Sequence, residues 1–539
     1  MQDAIASSGP AIEHSDSTSA VRSLPKAATL IDWAAALLSS VLLILSFPNF
    51  DLWPLAQVGF VPLLVVIARR PSTRKTFLLG WVTGAVFFYG SCHWLTFSMI
   101  NYGGVPRWLA YMLLLPAPVI AGLFFGVFAF VLSRFISKWG SAALLVAPLL
   151  WPTLEWLRLW TIGQLWNAIG YSQAFHPTLI QPARWGGVYL IGFLIVTVNA
   201  ALALLLVRRT LRATALAGLI VAGVATILFA AQSPAAEATI SGKPDLYVVA
   251  LQPNVPMNLV KTNEENAALL QRHFWMSKAA LTQLPEDGTP RLLIWPESPM
   301  YFTYGRDSQL RTLLLELATA NNTAVLFNSQ EAAPNDGIYN SAVLVNEKGS
   351  LIAQYDKIRL MPFGEYVPLP RWMPGTSLIG AIVGDFTPGT HYTLMTVGKV
   401  RAGVFICIES AYPSIARNFT RAGAEVLINI SNDGYLGPTA VMRQHLGNAV
   451  FRAVETGRPV LRVTNTGITA FITSNGEVKD GTESFQTAVR TWTIVPDKRE
   501  SSFYARHGDV FVGVSGALSI LFLAASFRIR KERDWKKDD

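Results

Sequence analysis

The chain carries two kinds of hydrophobic pattern, and the change falls near residue 232. Before it, apolar residues come in long runs of the kind that cross membranes, where a helix needs roughly 20 mostly apolar residues. Eight runs approach that length: 30–47, 54–68, 76–96, 108–131, 141–157, 187–207, 213–231 and, much later, 508–527. The second is short, and Pro148 and Pro152 flank the fifth. Between 232 and 507 the apolar runs are short and stop at turn residues. They predict strands at Leu246–Gln252, Arg291–Trp295, Thr323–Asn328, Ala342–Asn346, Arg401–Ile408, Ala424–Ile430, Val460–Thr464 and Ala470–Thr473. Asn263–Leu281, Ser308–Ala320 and Val441–Thr456 instead carry apolar residues at three- and four-residue spacing and predict helices. The last stops at Gly457, a residue suited to closing a helix. Strands alternating with helices indicate an α/β domain. No internal repeat is apparent.

Charge placement orients the runs. Alternation sends Arg22, Lys26, Arg69, Arg70, Arg74, Lys75, Arg134, Lys138, Arg208, Arg209, Arg212 and the basic run from Arg528 to Lys537 to one side. The short loops of the other side receive only Arg107, Arg158 and Arg184. Basic loops stay cytoplasmic, so both termini are expected in the cytoplasm and residues 232–507 outside. The expected division is a disordered tail over 1–27, a membrane domain with seven helices over 28–231, an outer domain over 232–507, a last span over 508–527 and a basic tail over 528–539. No small-residue cleavage site follows the first apolar run, so no signal peptide is expected.

Composition agrees: the 539 residues are 51% hydrophobic and only 15% charged. The net charge of +9 sits beside apolar segments, which argues for membrane topology and against nucleic-acid binding. Two cysteines, Cys92 and Cys407, are too few for a disulfide scaffold. Cys92 reads as a small residue buried in a membrane helix. No spacing of His, Cys and acidic residues suggests a metal site, no phosphate loop is present, and no cofactor is expected.

Three positions carry candidate chemistry. Glu297 follows the strand-like run ending in Trp295-Pro296, and Cys407 follows Val404-Phe405-Ile406. Lys357 sits within a strand-like run, ahead of Met361-Pro362-Phe363-Gly364-Glu365. Asn429, Ser431, Asn432 and Asp433 crowd the end of a further run. Functional groups of α/β sheets gather at the carboxyl ends of strands, so these ends can share one pocket. A thiol attacks only as thiolate and needs a base or a positive neighbour. Glu297 can take the proton, and Lys357 can stabilise the thiolate and then an oxyanion. Taken singly, each has an ordinary structural reading: a packed cysteine, a loop carboxylate, a solvated amine.

The flanking residues decide between these readings. Trp295-Pro296-Glu297, then Tyr355-x-Lys357-x-x-Leu360-x-Pro362-Phe363-Gly364-Glu365, then Cys407-x-Glu409 resembles the nitrilase superfamily. With the membrane segments, the chain is similar to the bacterial apolipoprotein N-acyltransferase family. Phe47-Pro48, Val61-Pro62-Leu63-Leu64, Glu155-Trp156-Leu157-Arg158 and Gly170-Tyr171-Ser172-Gln173 carry that likeness in the first half. Gln252-x-Asn254-x-Pro256, Ser431-Asn432-Asp433, Arg452-Ala453-x-Glu455-x-Gly457-Arg458 and Asn465-x-Gly467 carry it in the second. The resemblance implies a helical membrane bundle of about eight spans joined to a nitrilase-like αββα four-layer sandwich. It implies Glu297 as general base, Lys357 as oxyanion stabiliser and Cys407 as nucleophile, with Glu365 and Glu409 as supporting acids. It implies a phospholipid acyl donor, a diacylglyceryl apolipoprotein acceptor, a cysteine thioester between them, and a site on the periplasmic face of the bacterial inner membrane. Two departures stand out. Ile408 replaces a tyrosine often found after the cysteine, and a tryptophan often found near Val260-Lys261 is missing.

Residues 361–386 form an expected long loop with prolines, glycines and the apolar residues Trp372, Leu378, Ile379 and Ile382. Such a loop is unusual in a soluble domain. It is expected to contact the bilayer and gate lipid entry, with Asn432 a further substrate or lid candidate. Two other classes compete. A hydrolase would use the same triad with water as acceptor but would not need a membrane half. A transporter would carry paired charges near the middle of its spans, and these are lacking.

Overall fold

The computed structural model describes residues 29–69, 73–232, 243–257, 261–368, 385–496 and 500–527. Both predicted tails lie outside the described residues, as do Trp372, Leu378, Ile379 and Ile382 of the predicted lid.

Each predicted apolar run holds helix. The helices of the first half are, in order, α1 (Leu30–Leu45), α2 (Val61–Arg69), α3 (Thr73–Cys92), α4 (Thr96–Asn101), α5 (Arg107–Leu114), α6 (Pro116–Trp139), α7 (Ala147–Ile162), α8 (Pro177–Ile180), α9 (Ala183–Arg208) and α10 (Leu211–Ala230). Among the described residues, four helical stretches are long and apolar enough to cross a membrane: Arg107–Ile162, Ala183–Arg208, Leu211–Ala230 and Val510–Phe527. Their outward faces keep large apolar side chains in the open, among them Met112, Leu219, Phe229 and Ile520. Water would penalise such a surface, and hydrocarbon does not. Small residues let helices approach closely in a bundle: a Cβ on Gly84 of α3 would lie 2.8 Å from the Cα of Gly122 on α6.

The second half is built on two six-stranded sheets. Its strands are β1 (Leu246–Gln252), β2 (Arg291–Ile294), β3 (Ala324–Ala332), β4 (Ile338–Val345), β5 (Leu351–Asp356), β6 (Leu394–Val397), β7 (Val400–Ile406), β8 (Val426–Ser431), β9 (Val460–Thr464), β10 (Ala470–Ile472), β11 (Val478–Lys479) and β12 (Ala488–Ile494). The orders are β12-β1-β2-β3-β4-β5 and β11-β10-β9-β8-β7-β6. β1, β2 and β3 run parallel, as do β7, β8 and β9, and the outer pairs are antiparallel. The sheets face each other where β1 meets β9 and β4 meets β7. α11 (Asn263–Leu281) and α12 (Ser308–Asn321) cover the first sheet, and α13 (Pro413–Arg421) and α14 (Val441–Thr456) the second. This is the expected four-layer αββα arrangement. The chain then passes through α15 (Phe503–His507) to α16 (Val510–Phe527), back among the bundle helices.

The three helices predicted between 232 and 507 keep their limits to within a residue, whereas the helices of the apolar runs shift by several residues, and Gly457 closes α14 in the left-handed region with φ 69°. The strands to which sequence periodicity assigns no range are β5, seen only as the strand-like run around Lys357, and β6, β11 and β12. These are the four edges of the two sheets. An edge strand is half exposed, so it lacks the unbroken apolar run that marks a strand buried on both faces. α13 also went unmarked.

The two halves are packed as one body. α14 lies between the second sheet and the bundle, and every residue of it except Arg443 is buried. A single apolar cluster runs from Phe60 and Trp151 in the bundle through Ile169 to Val450 and Phe405 in the sandwich.

Candidate active site

The parallel strands of both sheets deliver their carboxyl ends to one place. Glu297 comes three residues after β2, Cys407 directly after β7, and Asn432 directly after β8. Lys357 differs from the sequence expectation. It follows the end of β5 instead of lying within a strand, and its N–H donates to the Asn340 carbonyl oxygen at 2.8 Å. The reason is that the ladder with β4 stops at Asp356.

Around Lys357 the groups interlock. Its Nζ donates to Glu365 Oε1 at 2.8 Å and lies 3.7 Å from Glu297 Oε1. Asn340 on β4 joins the two acids, its Nδ2 donating to Glu297 Oε1 at 3.0 Å and to Glu365 Oε1 at 2.6 Å. The other Glu297 oxygen accepts the Asn432 N–H at 2.9 Å. Glu365 Oε2 accepts the Met361 N–H at 2.7 Å, so its turn wraps back on the carboxylate. Burial alone would push the Lys357 ammonium down, but Glu365 and Glu297 outweigh it and hold it above the ordinary lysine value.

Cys407 is partly exposed and reduced, as is Cys92. Its backbone sits in the left-handed region with φ 53°, a conformation that costs a non-glycine residue roughly 1–3 kcal/mol and collects at functional sites. Burial pushes the thiol up, and the Glu297 charge adds to this, while Lys357 and a hydrogen bond with Ser431 pull less strongly the other way. Burial is the larger cause, and a charge count adds to it. One ammonium already faces two carboxylates, so a thiolate would be a third negative group.

Glu409 lies beneath the site, fully buried. Its Oε1 accepts from Tyr355 Oη at 2.8 Å, Ile358 N at 2.8 Å and Arg359 N at 3.0 Å, and its Oε2 accepts from Ile406 N at 2.8 Å. It thereby ties the turn that carries Lys357 to the strand end that carries Cys407. Asn432 turns its side chain inward, where Oδ1 accepts from Asn465 Nδ2 at 3.1 Å and Nδ2 contacts Met257 Sδ at 3.1 Å. Its contribution to Glu297 is the main-chain N–H. Cys92 is only partly buried and has Asn167 Nδ2 at 3.5 Å from its sulfur.

Sequence reasoning missed three partners. Asn340 stands two residues ahead of the strand expected at Ala342–Asn346, with nothing to mark it. Arg462 and His445 converge with Asp433 below the cysteine. Arg462 Nη2 donates to Asp433 Oδ2 at 2.6 Å, and His445 Nδ1 meets Asp433 Oδ1 at 2.8 Å. Burial pushes the Asp433 carboxyl up, yet Arg462 and His445 more than offset this and hold it well below the usual carboxylate range. A polar pair, Gln444-His445, in a helix buried all round was the signal available. At the rim, Tyr301 Oη and Tyr435 Oη meet at 2.5 Å, and Ser98 Oγ from α4 donates to the Tyr435 carbonyl at 2.5 Å.

The arrangement offers a cysteine thiol, a carboxylate aligned by two donors, and a buried cation. That set suits acyl transfer through a covalent cysteine intermediate. Sequence comparison with known families and relatives points the same way. Residues 39–201 match the apolipoprotein N-acyltransferase N-terminal domain, and residues 248–501 match the carbon-nitrogen hydrolase family. An apolipoprotein N-acyltransferase of Geobacter metallireducens is 34% identical over 92% of this chain and 95% of its own. One of Azotobacter vinelandii is 33% identical over 86% of this chain and 89% of its own. A nitrilase-superfamily amidase from Nesterenkonia AN1 superposes with a TM-score of 0.35 at 16% identity, covering 49% of this chain and 94% of that one.

Proposed function

This chain belongs to the apolipoprotein N-acyltransferase family, and from that premise we propose that Cys407 carries the acyl group between two membrane lipids. The protein is a membrane acyltransferase of lipoprotein maturation. In the first half-reaction Glu297 takes the thiol proton as Cys407 attacks an ester carbonyl of a phospholipid. Lys357 faces the oxyanion of the tetrahedral intermediate. Collapse breaks the ester C–O bond, Glu297 returns the proton to the departing oxygen, and a lysophospholipid leaves. In the second, the α-amine of a diacylglyceryl-modified N-terminal cysteine attacks the thioester. Glu297 takes a proton from the amine, the C–S bond breaks, and the thiol is restored as the amide forms. Ping-pong kinetics follow.

The observation that carries this reading is Glu297 held between Asn340 and Asn432 with Lys357 3.7 Å away. Two donors aim the carboxylate while the ammonium is kept charged, which is what a base and an oxyanion partner need at one carbon. Glu365 and Glu409 act through others, Glu365 by fixing Lys357 and Glu409 by fixing the turn.

The topology belongs to the same proposal. Eight spans, with residues 232–507 on the periplasmic side of the inner membrane and both termini in the cytoplasm, set the site at the outer leaflet. There both substrates are already oriented, and part of the entropy of bringing them together is removed. The expected apolar loop over 361–386, in which Glu365 itself stands, is assigned to lipid entry in the same proposal.

The test is the intact mass of the purified protein after incubation with a defined diacyl phospholipid and no acceptor. One acyl adduct is expected on the wild type and none on Cys407→Ala, and a diacylglyceryl lipopeptide should discharge it. Release of free fatty acid without an adduct would overturn the proposal.

A further inference from the structure

The helix that joins bundle and sandwich carries two adjacent polar residues facing opposite halves of the molecule. Gln444 faces the bundle. Its Oε1 accepts from Trp94 Nε1 at 3.0 Å and Trp166 Nε1 at 2.9 Å, and its Nε2 donates to the carbonyls of Pro48 at 3.1 Å and Ser91 at 3.0 Å. All four capacities of the amide are used, in a side chain that is buried. His445 faces the nucleophile. Its Nε2 lies 3.0 Å from the carbonyl oxygen of Cys407, and its Nδ1 lies 2.8 Å from Asp433 Oδ1. A carbonyl oxygen only accepts, and so does a carboxylate paired with Arg462, so both ring nitrogens donate.

Arg462 anchors a second arm to the same carbonyl. Its Nη1 donates to Asn429 Oδ1 at 2.5 Å, and Asn429 Nδ2 reaches the Cys407 oxygen at 3.5 Å. Thus one forked guanidinium, fully buried, supports two routes to the carbonyl of the residue whose φ is 53°. The shorter contact is the one through His445. Rotation of the Cys407 peptide toward an ordinary conformation would swing that carbonyl off the imidazole, and the thiol with it.

We propose that His445 is a positioning residue for acyl transfer: it holds the Cys407 peptide in its left-handed conformation, with its own place set by the adjacent Gln444, whose amide is anchored in the membrane bundle. The proposal rests on Cys407 as the acyl carrier. It makes the bundle part of the catalytic geometry as well as an anchor.

Two isosteres separate this role from simple neutralisation of Asp433. In His445→Gln the amide nitrogen falls where imidazole Nε2 sits and keeps the Cys407 bond. In His445→Asn it falls where Nδ1 sits and keeps the Asp433 bond. The rate of acyl-adduct formation is measured by intact mass for both, with His445→Ala and with Cys407→Ala as blank. The expected result is Gln within about tenfold of wild type and Asn and Ala lower by about 100-fold, the effect of a displacement near 1 Å. The phospholipid concentration giving half-maximal rate should not move, since His445 touches no lipid. Asn near wild type with Gln impaired overturns the proposal, as does a rate near wild type for all three. A wild type that forms no adduct removes the acyl-carrier reading instead, and the tether is then judged by infrared spectroscopy. With carbonyl-13C cysteine in Cys92→Ala protein, one labelled carbonyl remains, at 407. It should absorb at a hydrogen-bonded frequency that His445→Asn raises, and an unbonded frequency in the otherwise wild-type protein overturns the tether. The same band serves if the His445 variants do not fold.

Discussion

Lys357 and Cys407 show how one electrostatic arrangement gives two residues opposite states at rest. The carboxylates of Glu365 and Glu297 keep the ammonium charged, and the Glu297 charge works against a thiolate. Cys407 therefore rests as a thiol, and in the proposed mechanism its proton moves during attack. A thiol raised above its ordinary value of about 8.5 holds less thiolate at every pH below it. Alkylation of Cys407 by a small neutral reagent should consequently keep climbing from about pH 7 to beyond pH 9. A plateau by neutrality would contradict this assignment. Lys357→Met removes the positive neighbour that lowers the thiol, so alkylation should slow further at fixed pH. Acyl-adduct formation should drop by roughly 100- to 1,000-fold, the usual loss when an oxyanion donor goes.

At the scale of elements the site depends on ties between segments far apart in sequence. Glu409 joins the turn after β5 to the end of β7 with four accepted bonds. In Glu409→Gln an amide N–H must face one of those donors, at about 1–3 kcal/mol for a buried donor left unmade. Both the melting temperature in detergent and the adduct rate should fall. An unchanged melt with lost activity would place Glu409 in the chemistry itself. α14 makes a second tie. Arg452 pairs with Glu455 at 2.7 Å and donates to the Ser410 carbonyl at 3.0 Å, while Glu455 Oε1 accepts the Val188 N–H of α9 at 2.8 Å. Glu455→Ala leaves a buried guanidinium without its partner, which costs about 3–5 kcal/mol. A distinctly lower melting temperature is the expected reading.

The whole molecule should behave as one folding unit, because α14 is buried on all sides except at Arg443. Without the bundle, its Gln444 face and the apolar surface around Phe451 would meet water. Expressed alone, residues 243–507 should aggregate, and size-exclusion chromatography with a thermal melt checks this. A monomeric fragment with a cooperative melt would show that the sandwich folds independently. The proposed topology is tested separately by fusing a reporter active only outside the cytoplasm. It should be active at residue 240 and silent at the C-terminus, and the reverse would invert the molecule.

Periodicity and short motifs by themselves determined much of this protein. Long apolar runs located the bundle helices, because a helix in hydrocarbon must be apolar nearly all round. Short buried runs located the eight inner strands of the two sheets. Trp295-Pro296-Glu297, the segment from Tyr355 to Glu365, and Cys407-x-Glu409 marked the candidate triad, because chemistry at strand ends leaves local signatures. The limits of the four edge strands were not legible, since exposure on one side breaks the pattern. Nor were the hydrogen-bond partners that complete the candidate site. Asn340 bridges Glu297 and Glu365, and His445 reaches the Cys407 carbonyl across 38 positions of chain. A sequence states which groups exist and which face they share locally. Only packing decides which buried donor meets which acceptor, because each must find a partner among groups that the fold, and not the chain order, brings near.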